Sequence, residues 1–83
     1  MPLPQAAIDY LKDNAKTAGL DEPRPDDDLF KAGILDSFSL VDFISLLENE
    51  TGIKVPDSDV NPANFSTMNQ AGRYVEKQTG SVS

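Results

Sequence analysis

The chain has 83 residues, 39% of them hydrophobic, so it can form one small domain with a single core but not a core that also encloses an active site. Fourteen acidic residues against seven basic ones give a net charge of −7, which argues against nucleic-acid binding. The acidity fits basic protein partners and equally fits a small protein that is only kept soluble by its charge. Cysteine and histidine are both absent, which excludes disulfides, zinc-thiolate sites and catalytic triads built on either residue.

The first predicted helix spans about residues 4–18. Pro4 suits a first helical turn, where its missing N–H would have no partner, and Gly19 is typical of a helix end. The residues expected on the buried face recur at spacings of three and four: Ala7, Ile8, Leu11, Ala15 and Ala18.

A long connection follows over residues 20–36. Pro23 and Pro25 favour extended backbone, and Gly33 indicates a backbone angle that a side chain would resist. Loops of this length in small domains are usually packed or functional. Four apolar residues are expected to attach the loop to the core: Leu29, Phe30, Ile34 and Leu35.

The clearest predicted helix spans residues 37–51 and ends before Gly52. Asp36 lies at the position of an N-cap, where its carboxylate can accept hydrogen bonds from the free N–H groups of the first turn. One stripe of this helix is apolar and predicts its buried face: Leu40, Phe43, Ile44 and Leu47.

A short helix is predicted at residues 57–61 and a longer one at residues 66–78, followed by a frayed tail at residues 80–83. The pattern predicts a single domain over residues 1–83. Its fold class is all-α, a small irregular four-helix bundle of three main helices and one short helix, with a long first loop.

Several motifs then occur in order. These are Leu29-Phe30, Gly33-Ile34-Leu35-Asp36-Ser37, the helix from Phe38, Gly52-Ile53-Lys54-Val55-Pro56 and Asn64-Phe65-Ser66-Thr67-Met68. An Asp-Ser pair alone is common at helix starts, where it only caps. The whole ordered string, from about Asp26 to Val75, resembles the acyl carrier protein family of phosphopantetheine-binding carriers.

This resemblance implies a cofactor, 4′-phosphopantetheine, attached covalently through the hydroxyl of Ser37. Ser39 and Ser45 lie on the same predicted helix, but neither follows the Leu-Asp pair, so Ser37 alone is expected to be modified. The resemblance also implies that Asp36 helps to position the magnesium and coenzyme A used by the phosphopantetheinyl transferase. The thiol missing from the sequence would then arrive with the prosthetic group.

The outward face of the Ser37 helix is the predicted docking surface. Its residues recur at spacings of three and four, opposite the core stripe: Phe38, Val41, Asp42, Ser45, Glu48 and Asn49. Exposed apolar residues beside acids suit brief contacts with basic enzymes. The expected partners are the phosphopantetheinyl transferase and acyl- or aminoacyl-loading ligases, synthases and transferases.

The resemblance implies an acyl carrier protein that presents a thioester to enzymes of fatty-acid, polyketide or related biosynthesis and is not itself an enzyme. Met1 and the short length favour a discrete monomer, and a domain excised from a larger synthase is the alternative. Phe38, Ser39 and Ser45 depart from the commonest fatty-acid carriers. An aminoacyl carrier, either of the D-alanyl type or associated with a peptide synthetase, is therefore the alternative. No segment has the apolar run of a signal peptide or of a membrane span, so a cytoplasmic protein without membrane insertion is expected.

Two functions of other classes would need no prosthetic group. Asp57, Asp59 and Asn61 imitate the first ligand positions of a calcium loop, but Pro62 and Met68 stand where that loop requires glycine and a bidentate acid. An acidic adaptor protein would use the same docking surface with Ser37 unmodified.

Overall fold

A computed structural model describes residues 3–79, and all regular secondary structure among them is helical. The α-helices are α1 (Gln5–Thr17), α2 (Ser37–Thr51), α3 (Pro62–Phe65) and α4 (Met68–Thr79), with a 3₁₀ helix (Asp57–Asp59) between α2 and α3. The all-α fold with four helices and a long first connection is thus confirmed. The tail predicted at residues 80–83 lies outside the described residues.

One hydrophobic core joins all four helices, the long first connection and the segment that follows α2. In α1 and α2 the residues of the predicted stripes are buried, except that Ile8 is half-buried and Ala18 is exposed as the residue that follows α1. The buried apolar residues are Leu3, Ala7, Leu11, Ala15, Leu29, Ile34, Leu35, Leu40, Phe43, Ile44, Leu47, Ile53, Val55, Phe65, Ala71 and Val75. Burial of these side chains is the main favourable contribution to folding.

The long first connection is attached to the helices by hydrogen bonds as well as by apolar contacts. The Leu29 N–H donates to the Ser66 carbonyl at 2.7 Å, and the Asn14 amide donates to the Ile34 carbonyl at 3.3 Å. Leu29, Ile34 and Leu35 are buried and Phe30 is half-buried, as the sequence predicts. Gly33 has φ +83°, a conformation that favours glycine.

The segment after α2 differs from the prediction of one helix at residues 57–61. The 3₁₀ turn ends at Asp59, and Asn61 is extended (φ −153°, ψ 159°) before α3 begins at Pro62. The physical reason is Pro62, because a proline disfavours helical backbone in the preceding residue while suiting the first position of a new helix. No helix is predicted from the sequence at residues 62–65, where α3 lies.

The last helix begins at Met68, two residues later than predicted. The Thr67 hydroxyl accepts from the Gln70 N–H at 3.0 Å, and the Gln70 side chain accepts from the Ser66 N–H at 3.0 Å. These contacts satisfy N–H groups at the start of α4 that have no helical partner. In the part of the chain that the structure describes, no helix is long and apolar enough to cross a membrane.

Candidate functional site

The site is built around the first turn of α2. Asp36 is extended (φ −139°, ψ −171°) and ends the long connection, and Ser37 is the first helical residue. The Asp36 carboxylate oxygen Oδ1 accepts hydrogen bonds from the N–H groups of Phe38 and Ser39, both at 2.9 Å. The predicted N-cap role of Asp36 is confirmed.

Ser39 completes the cap from the other side. Its hydroxyl accepts from the Asp36 N–H at 2.8 Å and lies 3.1 Å from Asp36 Oδ1, to which it can donate. Together with the bonds accepted by Asp36, this arrangement is a capping box, which satisfies free donors at the helix start reciprocally. Both flanks of Ser37 are thereby fixed.

The capping interactions also favour the ionised form of Asp36. Hydrogen bonds from the Ser39 N–H and hydroxyl, and from the Phe38 N–H, hold the pKa of this carboxyl below its ordinary value of 3.8. A carboxylate therefore stands next to Ser37 at neutral pH.

The Ser37 side chain is exposed at the first position of α2. Unlike the Ser39 hydroxyl, which is occupied by Asp36, the Ser37 hydroxyl makes no hydrogen bond within residues 3–79. The start of a 15-residue helix carries partial positive charge, which favours a phosphate. The N–H groups of Phe38 and Ser39 in this turn already donate to Asp36. A phosphodiester can thus form on the Ser37 hydroxyl without any buried side chain having to move.

Helix α1 supports this turn from the interior, through residues that the sequence analysis did not select. The half-buried Tyr10 donates from its hydroxyl to the Ser39 carbonyl at 3.3 Å, and its ring stacks on Phe43 with centroids 6.2 Å apart. Asn14 holds the Ile34 carbonyl, as described above. Both Tyr10 and Asn14 are polar side chains on the inner side of the amphipathic helix α1, and this position could have indicated from the sequence that they bind buried backbone groups.

Five of the six predicted docking residues lie on the open surface of α2. Phe38 is 86% exposed and Val41 is 53% exposed, and both are large apolar side chains. Asp42, Ser45 and Asn49 are exposed beside them.

Glu48, the sixth predicted docking residue, has a different environment. It is half-buried, and its carboxylate accepts from the Val55 N–H at 2.9 Å. Glu48 therefore ties the segment after α2 back to the helix. Among the predicted docking residues that are exposed, Asp42 is the acidic one.

Asp59 and Asn61, which imitate ligand positions of a calcium loop, make hydrogen bonds within the fold instead. Asp59 Oδ2 accepts from the Tyr74 hydroxyl at 2.7 Å, and burial together with the Asp59 hydrogen bond and charge raises the pKa of Tyr74 to about 12. Across residues 3–79 there is no group of three or more acids placed to hold a metal ion. Asp59 therefore joins the 3₁₀ turn to α4.

Comparison with known proteins gives one family and several relatives. The family described as "Phosphopantetheine attachment site" matches residues 11–75, which include the whole first turn of α2. A D-alanyl carrier protein of Bacillus velezensis is 32% identical over 69 residues, covering 83% of this chain and 87% of the relative. One of Leuconostoc citreum is 38% identical over 55 residues, covering 66% and 70% of the two chains.

A third relative, the D-alanyl carrier protein of Streptococcus uberis, is 47% identical over 45 residues, which cover 54% of this chain. The match spans 57% of that relative's length.

Proposed function

This chain belongs to the acyl carrier protein family, whose members carry covalently attached 4′-phosphopantetheine, and we propose that it is a D-alanyl-type aminoacyl carrier modified on Ser37. One observation carries the assignment to Ser37. Within the matched residues 11–75, its exposed hydroxyl stands without a partner at the first position of α2.

The residues around Ser37 fit this prosthetic group. When bound, it supplies the thiol that holds an acyl group as a thioester, chemistry that a chain without cysteine and histidine lacks. The first turn of α2 offers a favourable electrostatic environment for the linking phosphate, and the capping box keeps that turn formed. Ser37 is an attachment point rather than an activated nucleophile, because the chain has no histidine, the usual general base for a serine.

The relatives support an aminoacyl cargo better than the fatty-acid or polyketide cargo that was the main expectation from the sequence. The D-alanyl carrier protein of Bacillus velezensis covers most of this chain, and the two others named above carry the same description. The departures at Phe38, Ser39 and Ser45 from the commonest fatty-acid carriers agree with that choice.

The carrier then acts as a cosubstrate of other enzymes and not as a catalyst. Phe38 and Val41 form an exposed apolar centre beside Asp42, and the chain as a whole carries a net charge of −7. This surface suits a phosphopantetheinyl transferase and a D-alanine-activating ligase that have basic rims around apolar contacts. The Asp36 carboxylate, whose ionised form is favoured by its hydrogen bonds, lies next to Ser37, where it can help to position the magnesium of the transferase reaction.

Intact mass spectrometry tests the proposal in two stages. Incubation with a transferase, magnesium and coenzyme A should add one phosphopantetheine to the wild type and none to Ser37→Ala. The control is Ser58→Ala, an exposed serine outside this helix, which should be modified normally. Modification of Ser37→Ala would refute the assigned site, and a wild type that stays bare would favour an acidic adaptor.

The second stage identifies the cargo. The modified protein is offered ATP and D-alanine with a thioester-forming ligase and, separately, a fatty acid with an acyl ligase. We expect D-alanyl loading that hydroxylamine removes, as expected of a thioester. Loading with the fatty acid alone would return the assignment to fatty-acid or polyketide biosynthesis.

A further inference from the structure

We propose that Tyr10 and Asn14 of α1 are positioning residues for the modification of Ser37. They hold the two ends of the attachment turn, which we define as residues 34–39, and so fix where the Ser37 hydroxyl stands relative to the bundle. The inference rests on the proposed attachment at Ser37. It assigns a part in the reaction to side chains that lie outside the docking surface predicted on α2.

Two hydrogen bonds join α1 to the attachment turn. Tyr10 and Asn14 are four residues apart, so they project from the same face of α1. The Tyr10 hydroxyl donates to the Ser39 carbonyl at the helical end of the turn, at 3.3 Å. The Asn14 amide donates to the Ile34 carbonyl at the other end, also at 3.3 Å. Ser37 therefore lies between two points that are both held by α1.

The cap at the start of α2 does not provide this connection. The bonds among Asp36, Phe38 and Ser39 keep the first turn of α2 formed, but they are local and join it to no other helix. The bonds from α1 span 29 and 20 positions of the chain and join the attachment turn to the rest of the bundle. The cap thus forms the turn, and α1 determines its place.

The Tyr10 hydroxyl can be removed without breaking the helix that it contacts. A carbonyl oxygen has two lone pairs, and the Ser39 carbonyl, in the first turn of α2, is also a helical acceptor for the N–H four residues later. The Tyr10 ring stacks on Phe43 with centroids 6.2 Å apart, a contact that phenylalanine would keep. Tyr10→Phe therefore removes the bond to the attachment turn and leaves the helical bond and the ring packing in place.

The position of the turn matters for the chemistry of the transfer. The Ser37 oxygen must bond to the phosphorus that bears the pantetheine arm of coenzyme A and displace adenosine 3′,5′-bisphosphate, while the serine proton passes to a base of the transferase. Such a displacement needs the attacking oxygen in line with the leaving group, and a misplacement of about 1 Å can cost about a hundredfold in rate. A turn held at both ends keeps the oxygen within that tolerance.

The test pairs each variant with a control that loses the same kind of bond elsewhere. Tyr10→Phe is matched by Tyr74→Phe, because the Tyr74 hydroxyl donates at 2.7 Å to Asp59, outside the attachment turn. Asn14→Ala is matched by Asn64→Ala, because the Asn64 amide donates to the Asp59 carbonyl at 3.0 Å. The control bonds are the shorter ones, so the controls should lose at least as much melting temperature.

The first readout is the single-turnover rate of modification at saturating transferase, measured where all four variants are folded. We expect Tyr10→Phe and Asn14→Ala each to lower this rate about three- to tenfold. The KM for the carrier should stay within about twofold, because the exposed surface of α2 is unchanged. Tyr74→Phe and Asn64→Ala should react within about twofold of the wild type.

The second readout needs no enzyme. Amide hydrogen exchange at Phe38 and Ser39, whose N–H groups donate to Asp36, reports how often the attachment turn opens. Exchange at both positions should become about two- to tenfold faster in Tyr10→Phe and stay unchanged in Tyr74→Phe.

The inference requires both changes in Tyr10→Phe. Equal modification rates in Tyr10→Phe and Tyr74→Phe would overturn it, since both hydroxyls would then act only through stability. A slower reaction without faster exchange, or the reverse, would overturn it as well. If the wild type itself is not modified, the proposed function fails, whereas normal modification of the wild type and of Tyr10→Phe would remove the inference alone.

Discussion

Two phenylalanines of α2, one buried and one exposed, allow effects on folding stability to be measured separately from effects on partner docking. Phe43 is completely buried and stacks on Tyr10, whereas Phe38, five residues earlier on α2, is 86% exposed. The same truncation to alanine at the two positions should therefore have opposite consequences.

The stability effects follow from burial. Phe43→Ala should lower the free energy of unfolding by about 3–5 kcal/mol, the usual loss for a buried phenylalanine. An 83-residue domain has about 4–12 kcal/mol in total, so this is a large fraction. Phe38→Ala should change stability by less than about 0.5 kcal/mol, because it removes little buried area and alanine has the higher helix propensity.

Thermal melting and urea unfolding measure the difference. With about 4–8 °C per kcal/mol for a domain of this size, Phe43→Ala should melt roughly 12 °C or more below the wild type. If that variant is too unstable to purify, Phe43→Leu should give an intermediate loss. A Phe38→Ala variant that loses as much stability as Phe43→Ala would refute the assignment of Phe38 to the open surface.

The docking effects should be reversed. Phe38→Ala should lower kcat/KM of the transferase or ligase by about five- to tenfold, as truncation of a central interface aromatic often does. Val41→Ala should act in the same direction, and Ser45→Ala should have little effect. Unchanged kcat/KM in Phe38→Ala with both enzymes would show that docking uses another surface.

Four further changes have expected outcomes. Because the pKa of Asp36 is lowered in the folded state, its ionised form stabilises the fold above its ordinary pKa of 3.8, and this stabilisation is lost as the pH falls through the folded-state pKa. Asparagine also caps helices but does not ionise, so Asp36→Asn lacks this pH dependence. Urea unfolding in acid should therefore show the wild type losing stability relative to Asp36→Asn as the pH falls. Tyr74→Phe should cost about 1 kcal/mol in urea unfolding through loss of the hydroxyl bond to Asp59, and an unchanged midpoint would contradict that bond. Gly52→Ala should cost about 1 kcal/mol, since Gly52 ends α2 at φ +77° with open space around it, and a neutral melting temperature would argue against this backbone conformation. Raising the salt concentration should weaken binding of the transferase and ligase, and an affinity independent of salt would contradict electrostatic docking.

The hydrogen bond between Glu48 and Val55 refines the docking hypothesis. Its carboxylate accepts from the Val55 N–H, so Glu48→Gln should preserve folding better than Glu48→Ala. A loss of partner affinity in Glu48→Ala would accordingly need a stability measurement before it is attributed to docking. Asp42→Asn avoids this ambiguity, because the Asp42 side chain is exposed on the surface of α2 that is predicted to dock.

The helical class and the start of α2 could be predicted from sequence because both depend on local interactions. The apolar spacing of Leu40, Phe43 and Leu47 predicts a helix with one buried face, which the structure confirms. Asp36 caps through N–H groups only two and three residues away, so its role is visible in a short segment. The candidate attachment residue, Ser37, could be selected by its place in an ordered string of motifs.

Other features depend on contacts between residues far apart in the chain, and only the tertiary structure decided them. Tyr10 reaches Ser39 across 29 positions, and Glu48 turned out to bind the chain after α2 rather than face outward. Spacing along a helix tells which face a residue occupies but not which neighbour covers that face. The sequence by itself thus determined the three longer helices and the Asp36 cap in front of Ser37, whereas long-range packing determined how α1 supports that cap and which group Glu48 binds.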